Sequence, residues 1–444
     1  MSFSSDQTFT ESLCNYLRDV LISKDLQDEF RGSPKDFIRH RMLTFTRTLV
    51  LLVTGQKRAL QNRINQFFTD LGETDGSPTA TALLKARDKV RPVVFKRLTN
   101  QVGSFFYDHF EDYGTCQHYK GRRLVAVDGS VHNLPNTPET REAFTVIDNK
   151  SGRRYVQALA SYLYDVLQDL PLNAELGPFQ AEKNFIFRDH APFLRSEDIL
   201  ILDRLYADYE VLARIQRLPG DVVVRASISS GFKVVKEFAQ DSAREDERVT
   251  LTLSSRQQKK HPDLPAQISV RLVKVYLSTG EVEVLITSLF DQQQYPPEDF
   301  KWIYHQRWNE ETYIGQLKHH WDIERVSSGK VNRILQDFYA SVFLSALSLA
   351  LAAESEALVR SQTSERPRQY AYKLNKSVIS SSVAMNVVQI LLGRRDTLSQ
   401  RVAFLQDLLI KALVPIRPDR SFDRKEAPLR QQIKYLRYEK KLWA

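Results

Sequence analysis

The sequence predicts an α/β protein, with a sheet-containing middle flanked by helical regions at both ends. Three observations predict it. Residues 1–115 carry apolar side chains at three-and-four spacing. Two continuous apolar runs, Leu124–Val127 and Ile199–Leu202, each end in an aspartate, as strands buried on both faces of a covered sheet do. Alternating β-rich segments fill most of the stretch after the second run.

In the first region, "FIRHRMLTFTRTLVLLV" and "RALQNRINQFFTDL" read as amphipathic helices. After a break at "GETDGSPT", the segment "ATALLKARDKVRPVVFKRLTNQVGSFF" opens with a Ser-Pro-Thr entry suited to a helix N-terminus. Its cations Lys85, Arg87, Lys89 and Arg91 make either a DNA-reading face or a solvated one. From 116 to 225 the two Asp-terminated runs enclose further strand in "RYVQALASYLYDVLQDLPL" and a helix in "EKNFIFRDHAPFLRS". "VDGS" reads as a strand end and turn, with His132 in the loop beyond it. Between 226 and 282 "FKVVKEF", "VTLTLS" and "AQISVRLVKVYLS" read as strands, and "EVEVLITSLF" carries the pattern past the end of that stretch. From 283 to 365 come a helix around Tyr304–Lys318 and a buried helix, "FYASVFLSALSLALAA". Its sixteen residues are below the ~20 that a membrane span needs. "RSQTSERPRQY" reads as a linker into a helical C-terminal region, 366–444.

The 444 residues allow two to four domains and a sizeable core. Lys plus Arg number 63 against 54 acids, a net +9 that tilts the chain towards polyanionic partners. The tail from Arg417 onward holds nine basic residues against four acids, net +5, more than half of that excess. Two distant cysteines, Cys14 and Cys116, indicate neither a disulfide framework nor a zinc knuckle. With no basic-then-apolar leader, the expected location is the cytoplasm, in association with the nucleoid.

Tyr304, Arg307, Glu311 and Lys318 stand at offsets 0, 3, 7 and 14. On one helix they share a stripe about 60° wide. Ile303, Ile314, Leu317 and Trp321 form an apolar seam beside it, interrupted by Glu310, and Gly315 on the stripe's edge implies a close approach. Asp128 and Asp203 at strand ends, with Glu311, form a carboxylate set of the kind held ionised by Mg²⁺ or Mn²⁺. Arg307 and Lys318 beside them suit phosphate, and together these features point to phosphoryl transfer on nucleic acid. Trp308 lies near the stripe, as a stacking platform for an extruded base or as a core anchor. His319 and His320 face different directions on a helix and do not make a metal pair.

In these residues the sequence resembles the bacterial insertion-sequence transposases of the DDE type, the cut-and-paste group marked by Y-x2-R-x3-E-x6-K. The block "LITSLFDQQQYPPEDFKWIYHQRWNEETYIGQLKHHWDIERVSS" agrees with it, as do Asp128 in "VDGS" and Asp203 in "LDRLY", over roughly residues 80–360. The resemblance implies an RNase H-like catalytic core in two parts, 116–225 and 283–365, separated by a β-rich insertion at 226–282. It implies a helical DNA-binding region at 1–115 that recognises terminal inverted repeats, with Lys85, Arg87, Lys89 and Arg91 as readers. The partners implied are the element's ends and target DNA, with a homodimer in the synapse that involves the C-terminal region. Asp128, Asp203 and Glu311 become ligands of two Mg²⁺ (or Mn²⁺) ions, and Tyr304, Arg307 and Lys318 become phosphate clamps. A nuclease of the same superfamily without strand transfer, and a non-catalytic DNA-binding derivative, are the alternatives.

Overall fold

The computed structural model describes residues 7–417, apart from 40, 55–58, 74, 115, 149–153, 180–181, 229–231, 278–279 and 366–368. The basic tail from 418 onward lies outside the described residues.

A nine-stranded sheet forms the middle. Its strands are β1 (Arg123–Leu134), β2 (Thr145–Asp148), β3 (Arg154–Asp165), β4 (Leu170–Gly177), β5 (Asp198–Leu202), β6 (Asp221–Arg225), β7 (Asp246–Thr252), β8 (Gln267–Tyr276) and β9 (Val282–Thr287). The order is β2-β3-β1-β5-β6-β9-β8-β7, with β4 also paired to β3. The centre, β1, β5 and β6, is parallel, and all other pairings are antiparallel. Both apolar quartets are buried at this centre, as a doubly covered parallel strand requires.

The structure corrects several expectations. β1 does not stop at the Gly-Ser pair: it continues to Leu134 because β3 is long enough to pair with it throughout, Ser130 opposite Ala160. His132 is therefore a buried strand residue, its ring nitrogen 3.3 Å from the Tyr162 hydroxyl, rather than a loop residue. "FKVVKEF" lies mostly in a helix, Lys233–Gln240, which buries Val235 and Phe238 three residues apart. The strands expected as an insertion, β7 and β8, continue the same sheet through β9. "FIRHRMLTFTRTLVLLV" becomes helical only from Phe45.

Among the described residues six α-helices precede the sheet: α1 (Phe9–Ile22), α2 (Lys24–Phe30), α3 (Phe45–Val53), α4 (Leu60–Asp70), α5 (Ala80–Arg87) and α6 (Val94–His109). Thr79 caps α5 by accepting the Ala82 N–H, as its Ser-Pro-Thr entry predicts. The buried helix is longer than expected, Val331–Glu365, and includes the first half of the expected linker. By length and composition Val331–Gln362 would span a membrane, but 72% of its most apolar window is buried inside the protein, as in a core helix. Glu354 on this helix accepts the backbone N–H groups of Phe9 and Thr10, so it neutralises donors that α1 leaves open at its start. Arg18 reaches from α1 to the carbonyls of Gln389 and Ile390, at the end of the C-terminal helix Lys376–Leu392. The two terminal regions thus pack on each other and on the long helix.

Arg87 is the second lock and a correction to its reading as a DNA contact. Only 3% exposed, it donates to Gln336, to Ser327, to the Arg333 carbonyl and to Asp337 at 2.8 Å. It shares the buried face of α5 with Leu83, one helical turn earlier. Lys85, Lys89 and Arg91 remain exposed. Arg87→Ala leaves Asp337 buried with the Ser327 donors but without its counter-charge, so equilibrium urea unfolding is expected to show a loss of about 3–5 kcal/mol. Lys85→Ala in the same assay is expected to stay within about 0.5 kcal/mol of the parent.

Candidate functional site

The site begins with strand register. β1 and β5 run parallel with Val127 beside Leu202, so the next residues, Asp128 within β1 and Asp203 just past β5, follow side by side where that pairing ends. Parallel neighbours lie about 4.8 Å apart, which makes the two carboxylates mutual neighbours. Asp203 turns the chain: its Oδ1 accepts the Leu205 N–H at 2.8 Å and starts a short 3₁₀ turn, Arg204–Tyr206. Asp128 Oδ1 accepts the Gly129 N–H at 2.7 Å. Burial, against the Gly129 N–H and Arg307 and with the Asp203 and Glu311 charges, pushes the Asp128 carboxyl up to about 6.

The predicted single helix is two segments, Asp299–His305 and Trp308–His320. At the joint Arg307 N–H bonds to the Tyr304 carbonyl, and Asn309 and Glu310 also reach back only three residues. This tightened turn rotates Arg307 inward. Arg307 is 6% exposed, its guanidinium 2.7 Å from Glu311 Oε1 and 3.4 Å from Asp128 Oδ2, so one cation joins two of the three predicted carboxylates. The rings of Tyr304 and Trp308 lie 5.8 and 5.2 Å from it. Tyr304 is buried as well, and burial raises its hydroxyl to about 12. The open stripe of four is thus corrected: Tyr304 and Arg307 face inward, and Lys318, half-buried, pairs with Glu324 at 2.8 Å. The apolar seam of Ile303, Ile314, Leu317 and Trp321 is buried as expected. Trp308, 44% exposed, is no core anchor.

Sequence reasoning passes over Glu310 as a flaw in the seam. It is wholly buried, and its Oε1 accepts the Asp128 N–H at 2.9 Å. Burial drives its carboxyl well above the ordinary carboxylate range. The signal is present in the angular position of an acid among Ile303, Ile314 and Leu317, which leaves it no direction but inward.

No three His, Cys, Asp or Glu side chains among the described residues stand close enough together to hold a metal ion. The donor set is still of the right kind, all carboxylate oxygen, and its mutual repulsion is what a divalent cation relieves. A cation bound by Asp128 and Glu311 would compete with the Arg307 guanidinium for their oxygens.

A second polar surface lies in the helical region. A cleft of about 870 Å³ is lined by the cations Lys35, Arg39, Arg41, Lys85 and Lys89, beside Met42. Lys89 pairs with Asp36 at 3.0 Å. Arg39 and Arg41 escape sequence reasoning because the spacing of their stretch suggests a helix; they sit in irregular chain instead.

The chain matches the family model described as "Transposase DDE domain" over residues 119–347, just over half of its 444 residues. This span contains Asp128, Asp203, Glu311 and Lys318. The chain is 22% identical over 315 residues to the transposase InsG for insertion sequence element IS4 of Escherichia coli (strain K12), covering 69% of this chain and 68% of that protein. Among solved structures it aligns with the cryo-EM structure of the piggyBac transposase synaptic complex with hairpin DNA, at a TM-score of 0.44 and 10% identity, covering 94% of this chain and 89% of that one.

Gly315, one turn after Glu311 and one before Lys318, was expected to be closely approached. Nothing within the described protein lies within 4 Å of a Cβ built there, so the close approach is not internal. Gly315→Ala is accordingly expected to stabilise the protein by up to about 1 kcal/mol in chemical unfolding, because it removes the glycine penalty in a helix interior without a clash. Lower stability in the variant would reveal a hidden contact.

Proposed function

The chain belongs to the family of transposases with a DDE domain, and from that premise we propose that it is a cut-and-paste DNA transposase which binds terminal inverted repeats, cleaves at them and joins the freed ends to target DNA. One observation carries the reading: the β1–β5 register sets Asp128 beside Asp203, and Arg307 links Asp128 to Glu311. Acids 75 and 183 residues downstream of the first converge on one sheet edge. A central strand with an antiparallel neighbour on one side and parallel neighbours on the other supports an RNase H-like core. The strands between Asp203 and Glu311 then act as an extension of that core sheet. The helical region 1–115 is assigned to DNA recognition and 366–444 to the dimeric synapse.

In this reading Asp128, Asp203 and Glu311 would hold two Mg²⁺ or Mn²⁺ ions, which would supply Lewis-acid chemistry for phosphodiester cleavage. The protein's own groups do the rest. Arg307 leaves the carboxylates and forks onto a phosphate of the end being cut, a geometry that a lysine cannot copy. Tyr304 backs the guanidinium as it turns. Lys318 exchanges Glu324 for a second phosphate, and the exposed ring of Trp308 receives an unstacked base. The open space at Gly315, between Glu311 and Lys318, admits the DNA backbone.

The test is single-turnover cleavage of labelled end DNA. Asp128→Asn, Asp203→Asn and Glu311→Gln are each expected to abolish Mg²⁺-dependent cleavage while mobility-shift binding persists; cleavage retained in any of them removes that residue from the site. A donor and target assay separates transposition from plain nuclease action, since only the former joins the ends.

Recognition is assigned to the basic cleft. Alanine at Lys85, Lys89, Arg39 and Arg41 is expected to weaken end binding and to reduce its log–log salt dependence by about one unit for each phosphate no longer neutralised. Gel-shift titrations at several salt concentrations measure it, and an unchanged slope moves recognition elsewhere.

A further inference from the structure

Glu310 precedes the proposed metal ligand Glu311 and points the other way, into the protein. A carboxyl group in an apolar seam is costly to bury, and a leucine of similar volume would fill the space without that cost. Its retention needs a reason, and its hydrogen bond supplies one. Pairing between β1 and β5 ends at Val127 beside Leu202. The next amide of β1, that of Asp128, donates to Glu310 Oε1 at 2.9 Å. The other oxygen, Oε2, is buried with no hydrogen-bond partner among the described residues, so the Asp128 amide is the hydrogen-bond donor to this group.

The geometry points to Glu310 as a positioning residue for catalysis: by accepting the Asp128 amide it fixes the distance between Asp128 on the sheet and Glu311 on the helix. Arg307 makes a second link between the same two elements, through the carboxylates themselves. That link has to break when the carboxylates take up ions and Arg307 takes up phosphate. The bond from Glu310 runs to the backbone, uses neither ligand carboxylate and survives the exchange. The inference rests on the reading of Asp128 and Glu311 given above.

The experiment uses the full chain with Glu310→Gln, which keeps the accepting oxygen, and Glu310→Leu and Glu310→Met, which remove it. Three quantities are measured for each: thermal unfolding, Mn²⁺ affinity of the protein bound to end DNA by electron paramagnetic resonance titration, and single-turnover cleavage. Glu310→Gln is expected to keep cleavage and Mn²⁺ affinity within about threefold of the parent. The apolar variants are expected to melt at or above the parent temperature, yet to lose Mn²⁺ affinity and cleavage on the order of 10–100-fold, as when other outer-shell partners of metal ligands are removed. Normal Mn²⁺ affinity in both apolar variants, or losses that merely follow melting temperature, overturns the inference. Glu311→Gln serves as the control. An active Glu311→Gln beside an inactive Glu310→Gln overturns the assignment of Glu311 instead, so the two failures are distinguishable.

Discussion

The geometry of this protein depends first on a buried ion pair at the far end of the strands from the carboxylates. Arg123 Nε and Nη2 donate to the two carboxylate oxygens of Asp198 at 2.6 and 2.8 Å, and these residues are themselves register partners at the start of β1 and β5. A bidentate bond between two planar groups tolerates little sliding. A slip of one residue would send every later side chain of β5 to the opposite face relative to β1. Asp128 and Asp203 stand five residues beyond that pair on their respective strands. The pair is expensive to bury, and its return is specificity of register rather than net stability. Arg123 also lies over the Tyr107 ring at 4.6 Å, which ties the same point to α6.

At the other end of the strands the electrostatics run in the opposite sense. There the protein gathers negative charge at a partly buried edge and sets the internal cation Arg307 against it. Arg307 is suited to this because its guanidinium stays charged under burial and offers several donors in a plane. The same features suit it to phosphate. On the proposed function the same side chain serves the resting protein as a counterion and the working one as a phosphate clamp. The arrangement keeps like charges together without unfolding the edge that carries them.

Much of this was legible in the sequence where local pattern and tertiary environment agree. The quartets Leu124–Val127 and Ile199–Leu202 read as covered strands, and Asp203 follows the end of its strand as expected, whereas Asp128 lies within β1 because β3 pairs on beyond it. The seam through Ile303, Ile314 and Leu317 fixed which face of the helix is inward. What stayed hidden depended on partners far away in sequence. Arg87 belongs by composition to a basic cluster, but its partner Asp337 lies 250 residues further on, and only the fold brings them together. "FKVVKEF" has the β-branched residues of a strand, but burying Val235 and Phe238 on one helical face outweighed that preference. The inward turn of Arg307 follows from backbone hydrogen bonds three residues apart, which no spacing rule for an ideal helix contains.

The sheet also has a temporal consequence. Its pairings close over long stretches of chain, Arg123 with Asp198 and Val223 with Thr287, and the Asp128 amide finds its acceptor 182 residues later. High contact order of this kind slows folding and delays completion of the site until the ribosome has made most of the protein. A nascent or prematurely terminated chain that ends before Glu310 contains both aspartates but neither the third acid nor the groups that hold the three in place. On the proposed function, the cleavage site is complete only once the chain has grown past its two-thirds point, and shorter fragments lack one of its three acids.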